Sequence, residues 1–245
     1  MNGVHTDGVR HPAEQLRRIR TLLVRGLDAL LFEEEDRCPV CGTPGAGFGQ
    51  LCPVCMERLE LVGAWHDLSP YVCYTAAFYN NALRSLFAAY KFKGATYLEP
   101  VFQHFMTDFV RKVPAFRAVR WISFVPQTSR NDVLRGVNPA YELAAAAAQE
   151  LHVPLLPLLL RRPGGFSQKR MRAAERLKNV RGAYEVRQRI PAEARIGPGL
   201  VIDDFLTTGN TMREVLSVLE EKGIHGAGLC LACVSMPPEQ QRLSV

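Results

Sequence analysis

No run of eighteen apolar residues occurs anywhere in the 245-residue chain, which excludes a helix long enough to span a bilayer. The first twelve residues, Met1 to Pro12, are polar and lack the apolar stretch of a secretory signal, so a cytoplasmic protein is expected. Disordered, collagen-like and coiled-coil compositions are absent too. With 47% of residues hydrophobic and 22% charged, the balance is that of an ordinary globular chain. Histidine is sparse: the six present show neither a metal-binding spacing nor a triad with Ser or Asp. Acidic residues are scarce in one place. Between Arg161 and Arg189, ten basic residues are opposed only by Glu175 and Glu185, so that stretch carries +8 and the rest of the chain −2, for a net +6. Charge concentrated in this way reads as an anion-binding surface or as a solvated helical face.

Seven cysteines without an export signal do not read as a disulfide framework. Four form two pairs, Cys38-Pro-Val-Cys41 and Cys52-Pro-Val-Cys55, separated by ten residues that include Gly42, Pro44, Gly45, Gly47 and Gly49. Each pair bends the backbone so that two thiolates meet one ion, and the Gly/Pro-rich stretch lets the second pair fold back on the first. Four sulfurs close a tetrahedral shell, the pattern of one structural Zn²⁺. A redox dithiol would need one pair, not two at this spacing. His66 lies near enough in sequence to substitute, but four cysteines already complete the shell. Cys230 and Cys233 share the x-x spacing, yet Ala227–Val234 reads as a buried strand. Residues i and i+3 of a strand face opposite sides, so these two are expected in the core, as is Cys73.

Three regions are expected. Residues 1–36 form an N-terminal helical segment, with Leu16, Ile19, Leu23, Leu27 and Leu30 at helical spacing. Residues 37–66 form a small zinc-ribbon module. Residues 67–245 form an α/β domain. Tyr71–Phe78, Val119–Val125, Leu155–Leu160, Gly199–Ile202 and Ala227–Val234 read as strands. Asn81–Phe92, Leu98–Val110, Asn138–Leu151 and Met212–Lys222 read as helices. Nearly continuous apolar strands alternating with helices predict a mainly parallel sheet covered on both faces.

The informative stretch is Leu200-Val-Ile-Asp203-Asp204-Phe-Leu-Thr207-Thr208-Gly209-Asn210-Thr211. An apolar strand delivers two carboxylates at its C-terminal end, and a short hydroxyl-rich loop then opens a helix. Ligands of open α/β sheets bind beyond such strand ends. A helix N-terminus offers N–H groups to a phosphate, the threonines add hydroxyls, and Gly209 permits close backbone approach. Acids beside a phosphate cradle fit hydroxyls of a sugar, or a divalent cation that rides with the phosphates. The stretch therefore predicts a grip on a pentose 5-phosphate: Asp203 and Asp204 on the sugar, residues 207–211 on the phosphate.

This stretch resembles the signature with which type I phosphoribosyltransferases bind 5-phosphoribosyl-1-pyrophosphate (PRPP). Tyr79-Asn-Asn-Ala-Leu-Arg-Ser-Leu-Phe-Ala-Ala-Tyr-Lys91-Phe-Lys93-Gly94 resembles a segment of the ComF family, competence-associated proteins that join a zinc ribbon to a phosphoribosyltransferase-like domain. Leu27–Gly42 resembles that family's entry into the zinc knuckle. Phe166-Ser-Gln168 and Arg176-Leu-Lys-Asn179-Val-Arg-Gly-Ala-Tyr184 resemble its downstream stretch. The likeness runs from about Leu22 to Val234. Phe124-Val-Pro126 to Arg135-Gly-Val-Asn138-Pro139 departs from the family pattern, keeping Arg130, Arg135 and Gly136 but replacing its aromatic and its Gln.

The resemblance implies a type I phosphoribosyltransferase fold with a hood over the sheet's carboxyl edge. It implies PRPP and Mg²⁺ as ligands, with Asp203, Asp204, Thr207, Thr208, Gly209, Asn210 and Thr211 holding PRPP. Asp203 and Asp204 are also the candidate catalytic residues. Lys91, Lys93, Arg130 and Arg135 are expected on the pyrophosphate side. Lys169, Arg170, Arg172 and Arg176 are expected in the hood, closing on a polyanion. One implied activity is transfer of phosphoribosyl to an unspecified acceptor. The other is PRPP sensing or single-stranded-DNA binding without catalysis, with DNA-uptake proteins as partners. For that role Phe166 and Tyr184 are candidates to stack bases.

Overall fold

The computed structural model describes residues 37–44, 51–93, 95–126, 138–162 and 182–243. The expected N-terminal helix lies outside them. Helix α1 (Pro53–Glu57) belongs to the cysteine module. The first hairpin follows, with β1 (Ala64–Leu68) antiparallel to β2 (Tyr71–Phe78) and Leu68 opposite Tyr71. Asp67 Oδ1 accepts from Ser69 N at 2.8 Å and from Ser69 Oγ at 2.6 Å, a side-chain-braced turn ahead of Pro70.

From β2 the sheet continues in parallel through β7 (Gly226–Cys233), β6 (Gly199–Leu206) and β3 (Trp121–Phe124), giving the order β1-β2-β7-β6-β3. Helices α2 (Asn81–Lys93), α3 (Glu99–Lys112) and α4 (Pro139–Glu150) contribute to one core, and α5 (Asn210–Glu220) to the other. In the first core Val101, Phe102, Phe105, Met106 and Phe109 of α3 meet Ile122, Leu200, Ile202, Leu229 and Leu231 of the strands. Each such side chain contributes about 1.5–3 kcal/mol on full burial. In the second, Met212, Val215, Leu216 and Leu219 cover Trp121, Val201 and Cys230. The mainly parallel sheet clad on both faces is present as expected.

Local chemistry accounts for the helix ends. Asn138 caps α4, its Oδ1 accepting from Tyr141 N at 3.3 Å, and Pro139 takes the first helical position. Ala144 and Ala147 of α4 are fully buried, small enough to bring the helix close to β6. A short two-stranded ladder, β4 (Leu159–Arg161) with β5 (Tyr184–Val186), stands apart from the main sheet. Among the described residues no helix is long and apolar enough to cross a membrane.

The three cysteines outside the two pairs are buried, as expected. Two of them share one face of the sheet, where strand alternation predicts opposite faces. Cys230 and Cys233 both pack on the α5 side, because the alternation along β7 slips where Leu231 and Ala232 both turn to the α3 side. Cys230 Sγ sits 3.8 Å from Cys73 Sγ, and Cys233 Sγ donates to the Ala77 carbonyl at 3.6 Å.

Candidate functional site

The four cysteines of the paired motifs converge: the sulfurs of Cys38, Cys41, Cys52 and Cys55 all lie within 4.8 Å of one another. Backbone bonds shape both halves. Gly42 N donates to Cys38 O at 2.8 Å in the first, and Met56 N to Cys52 O at 2.9 Å opens α1 in the second. The donor set fits a metal. Sulfurs about 2.3 Å from a shared Zn²⁺ would lie about 3.8 Å apart, and Cys41 and Cys52 are at 3.5 Å. Four neighbouring sulfurs cannot all ionise unaided. Burial and the adjoining sulfurs push the Cys55 thiol up to about 12, while the Thr43 hydroxyl draws Cys41 down to about 6. A divalent ion bound by all four is the chemistry that reconciles them. His66 is not among the converging groups; its Nε2 lies 2.9 Å from Thr75 Oγ1. The module is welded to the larger domain. Cys38, Leu51, Cys52, Cys55 and Leu59 share the core of α2 and α3, and Asn80 Nδ2 donates to Arg58 O at 2.9 Å.

The hydroxyl-rich loop sits where the strand pattern predicts, between β6 and α5 at the carboxyl edge of the sheet. Thr207 and Thr208 are exposed, Asn210 and Thr211 half-buried. Helix α5 begins at Asn210, two residues before the apolar periodicity starts, so Asn210 and Thr211 stand in its first turn. Gly209 is the N-cap at φ +75°, and a Cβ there would lie 2.6 Å from Leu68 Cδ2. Both the left-handed backbone and the close packing call for glycine. Having no side chain, Gly209 leaves the first-turn N–H groups without the usual capping oxygen.

Arg213, which no sequence motif marks, is central to the loop. Its Nη1 donates to Thr208 O at 3.1 Å and its Nε to Leu68 O at 3.3 Å, pinning the loop to the β1–β2 turn. A cation in the first turn of a helix opposes the helix dipole, and that conflict was the available signal. A second support lies beneath: a Cβ on Gly228 would come within 2.5 Å of Met212 Cγ, so the bare backbone there lets α5 lie directly on the sheet.

Strand β6 runs four residues beyond Ile202 and carries both aspartates within it. Each carboxylate braces the next peptide: Asp204 N donates to Asp203 Oδ1 at 2.9 Å and Phe205 N to Asp204 Oδ1 at 2.8 Å. Asp203 stands in register with Cys230. Burial, and then the adjoining charge of Asp204, hold its carboxyl well above the usual carboxylate range. Asp204 Oδ2 instead receives Lys91 Nζ of α2 at 2.5 Å. Lys91 lies over the Phe87 ring, and Phe87 in turn packs edge-on against Phe205. The structure thus brings Lys91 to the acid pair itself.

The other basic candidates, Arg130, Arg135, Lys169, Arg170, Arg172 and Arg176, lie outside the described residues, as do Phe166 and the side chain of Lys93. Tyr184 is described, and it is not the open aromatic expected to stack on a base. It is 5% exposed, its hydroxyl accepts from Arg161 Nη1 at 3.4 Å, and the Arg161 guanidinium covers its ring at 5.5 Å. Its ring is therefore committed to the core and offers no open face to a base. Gly182 N donates to Glu214 Oε1 of α5, tying the start of the β5 arm to the helix that follows the loop.

Comparison with known proteins covers most of the chain. Competence protein ComFC of Streptococcus pneumoniae (strain ATCC BAA-255 / R6) is 29% identical over 204 residues, spanning 79% of this chain and 86% of that protein. The ComF resemblance holds. No protein-family model matches the chain. Solved structures similar to it include adenine phosphoribosyltransferase from Leishmania donovani, 15% identical, covering 58% of this chain and 54% of that one at a TM-score of 0.35. Orotate phosphoribosyltransferase from Aeropyrum pernix is 18% identical, covering 74% and 79% at a TM-score of 0.37. The allosteric regulatory enzyme of purine biosynthesis matches over 57% of this chain but only 26% of its own length.

Proposed function

We propose that the chain is a ComF-type, phosphoribosyltransferase-family protein that binds PRPP with Mg²⁺ and transfers its phosphoribosyl group to an acceptor. The observation that carries this is the juxtaposition at one sheet edge of an exposed Thr207-Thr208-Gly209 loop, an α5 N-terminus without a capping side chain, and the Asp203–Asp204 pair. The loop and the first-turn N–H groups hold the 5-phosphate. Asp203 and Asp204 accept from the ribose hydroxyls, which are the donors a carboxylate can use. Asp203, with no ion-pair partner among the described residues, is the carboxylate that would meet Mg²⁺. When bound, that ion offsets charge on the pyrophosphate. Reaction at the sugar's C1 then draws mainly on positioning and charge stabilisation by the chain's own residues.

The test is calorimetric titration of PRPP at millimolar Mg²⁺. Wild-type protein is expected to bind. The double variant Asp203→Asn with Asp204→Asn is expected to lose binding while keeping its fold and its zinc content. Wild-type affinity in that double variant would overturn the assignment of the sugar grip.

A second reading, in which PRPP is sensed and single-stranded DNA is engaged during DNA uptake, is favoured by the name of the pneumococcal relative and by the +8 stretch between Arg161 and Arg189. Its mark is an affinity for single-stranded oligonucleotide that falls steeply as salt rises and drops on reversing Arg170 and Arg172. Oligonucleotide binding insensitive to salt and to those reversals would sink it.

A further inference from the structure

Lys91 and Asp204 are 113 positions apart in sequence, and no local motif pairs them. The pair is nonetheless built in. Asn80 Oδ1 accepts from Leu83 N at 2.9 Å in the first turn of α2, while Nδ2 of the same Asn80 fixes the helix start to the zinc module. One turn before Lys91, Phe87 is wedged between Phe102 and Phe205, with ring centroids at 5.2 and 4.4 Å. The ammonium is thereby delivered to an oxygen of Asp204 from a helix whose position is set elsewhere. The side chains are 24% and 14% exposed, so the charges meet with little water between them.

Two adjacent carboxylates beside a phosphate loop ordinarily need cations to be tolerated next to a polyanion. One of the two here already has one. We infer that Lys91 is a resident cation for the acid pair: its ammonium takes the place on Asp204 that a divalent ion would otherwise fill, so that the site is matched to a ligand bringing a single divalent ion. This deepens the proposed PRPP site and rests on that reading for its ligand. It assigns Lys91 a positioning role on the carboxylates in place of direct contact with the leaving pyrophosphate.

The experiment uses the zinc-loaded full chain and two readouts. The first needs no PRPP: Mn²⁺ is titrated while the free-ion electron paramagnetic resonance signal is followed. Mn²⁺ prefers oxygen ligands and leaves a thiolate site alone. Lys91→Met is expected to bind Mn²⁺ at least about tenfold more tightly than wild type, Lys91→Arg to resemble wild type, and Lys91→Met with Asp204→Asn to lose the gain. The second is PRPP affinity as a function of Mg²⁺. Lys91→Met is expected to lose affinity about tenfold at low Mg²⁺ and to recover it at high Mg²⁺, which a merely structural defect would not do. Unchanged Mn²⁺ affinity in Lys91→Met, or a PRPP loss equal at every Mg²⁺ concentration, overturns the inference. Failure of wild type to bind PRPP at any Mg²⁺ overturns the proposed function instead, and the Mn²⁺ titration still decides the role of Lys91.

Discussion

Stripping the metal from the four-cysteine cluster, or replacing Cys52 by Ser, is expected to lower the thermal midpoint of the whole chain by roughly 10–20 °C. Loss of a structural metal belongs to the few changes that cost more than about 4–5 kcal/mol, and in a chain of this size each kcal/mol moves the midpoint by roughly 2–4 °C. The effect should not stay local. Cys38, Cys52 and Cys55 are 2–5% exposed and share one continuous core with Phe87, Phe102 and Phe105. Asn80 also binds the module to the first turn of α2. Elemental analysis should find one zinc per chain before chelation and none after, with the midpoint falling in step. Carefully reduced, metal-free protein that melts at the same temperature would end the zinc-ribbon assignment.

The second large effect concerns Asp203 alone. Its folded carboxyl is raised by burial and by the neighbouring Asp204. An acid raised in this way binds more protons folded than unfolded. Its favourable contribution is complete below the unfolded value, about 4, and is lost as pH rises through the folded value. Asp203→Asn removes that penalty. The variant is expected to show a higher urea midpoint than wild type at pH 8, with the advantage shrinking toward pH 4. It should at the same time bind PRPP about 10- to 100-fold more weakly, since a hydrogen bond to a charged group contributes about 1.5–3 kcal/mol. Under the proposed function Asp203 is a binding residue held at a cost to stability, the compromise expected at a ligand site. A variant less stable at pH 8 that binds PRPP as well as wild type would contradict both halves.

Much of this was legible in the sequence, for identifiable reasons. The two Cys-Pro-Val-Cys pairs and the Asp203–Thr211 stretch are local, so spacing alone shows which side chains come together there. The apolar strands of the parallel sheet announce themselves because both their faces are covered. Other features depend on contacts that periodicity does not encode. Strand β1 contains His66 and Asp67 and lacks a clean alternation; it exists because it pairs with the otherwise free edge of β2. Tyr184 sits in a run of charges and reads as an exposed aromatic, yet pairing across β4 and β5 sets it opposite Arg161 and buries it. Helix α5 opens earlier than its apolar pattern because Gly209, not hydrophobic spacing, decides where the chain turns. The Lys91–Asp204 contact joins a helix and a strand far apart in sequence, and only the folded geometry shows it.

The β4–β5 ladder is closed by contacts of its own. Arg162 N donates to Ala183 O at 3.0 Å, the Arg162 and Glu185 side chains meet at 3.1 Å, and Gly182 is held by Glu214. The nineteen positions between Arg162 and Gly182 therefore depart from, and return to, a base that is already closed. The contacts that close this base are all made by residues outside the stretch, so a change of sequence within it leaves them in place.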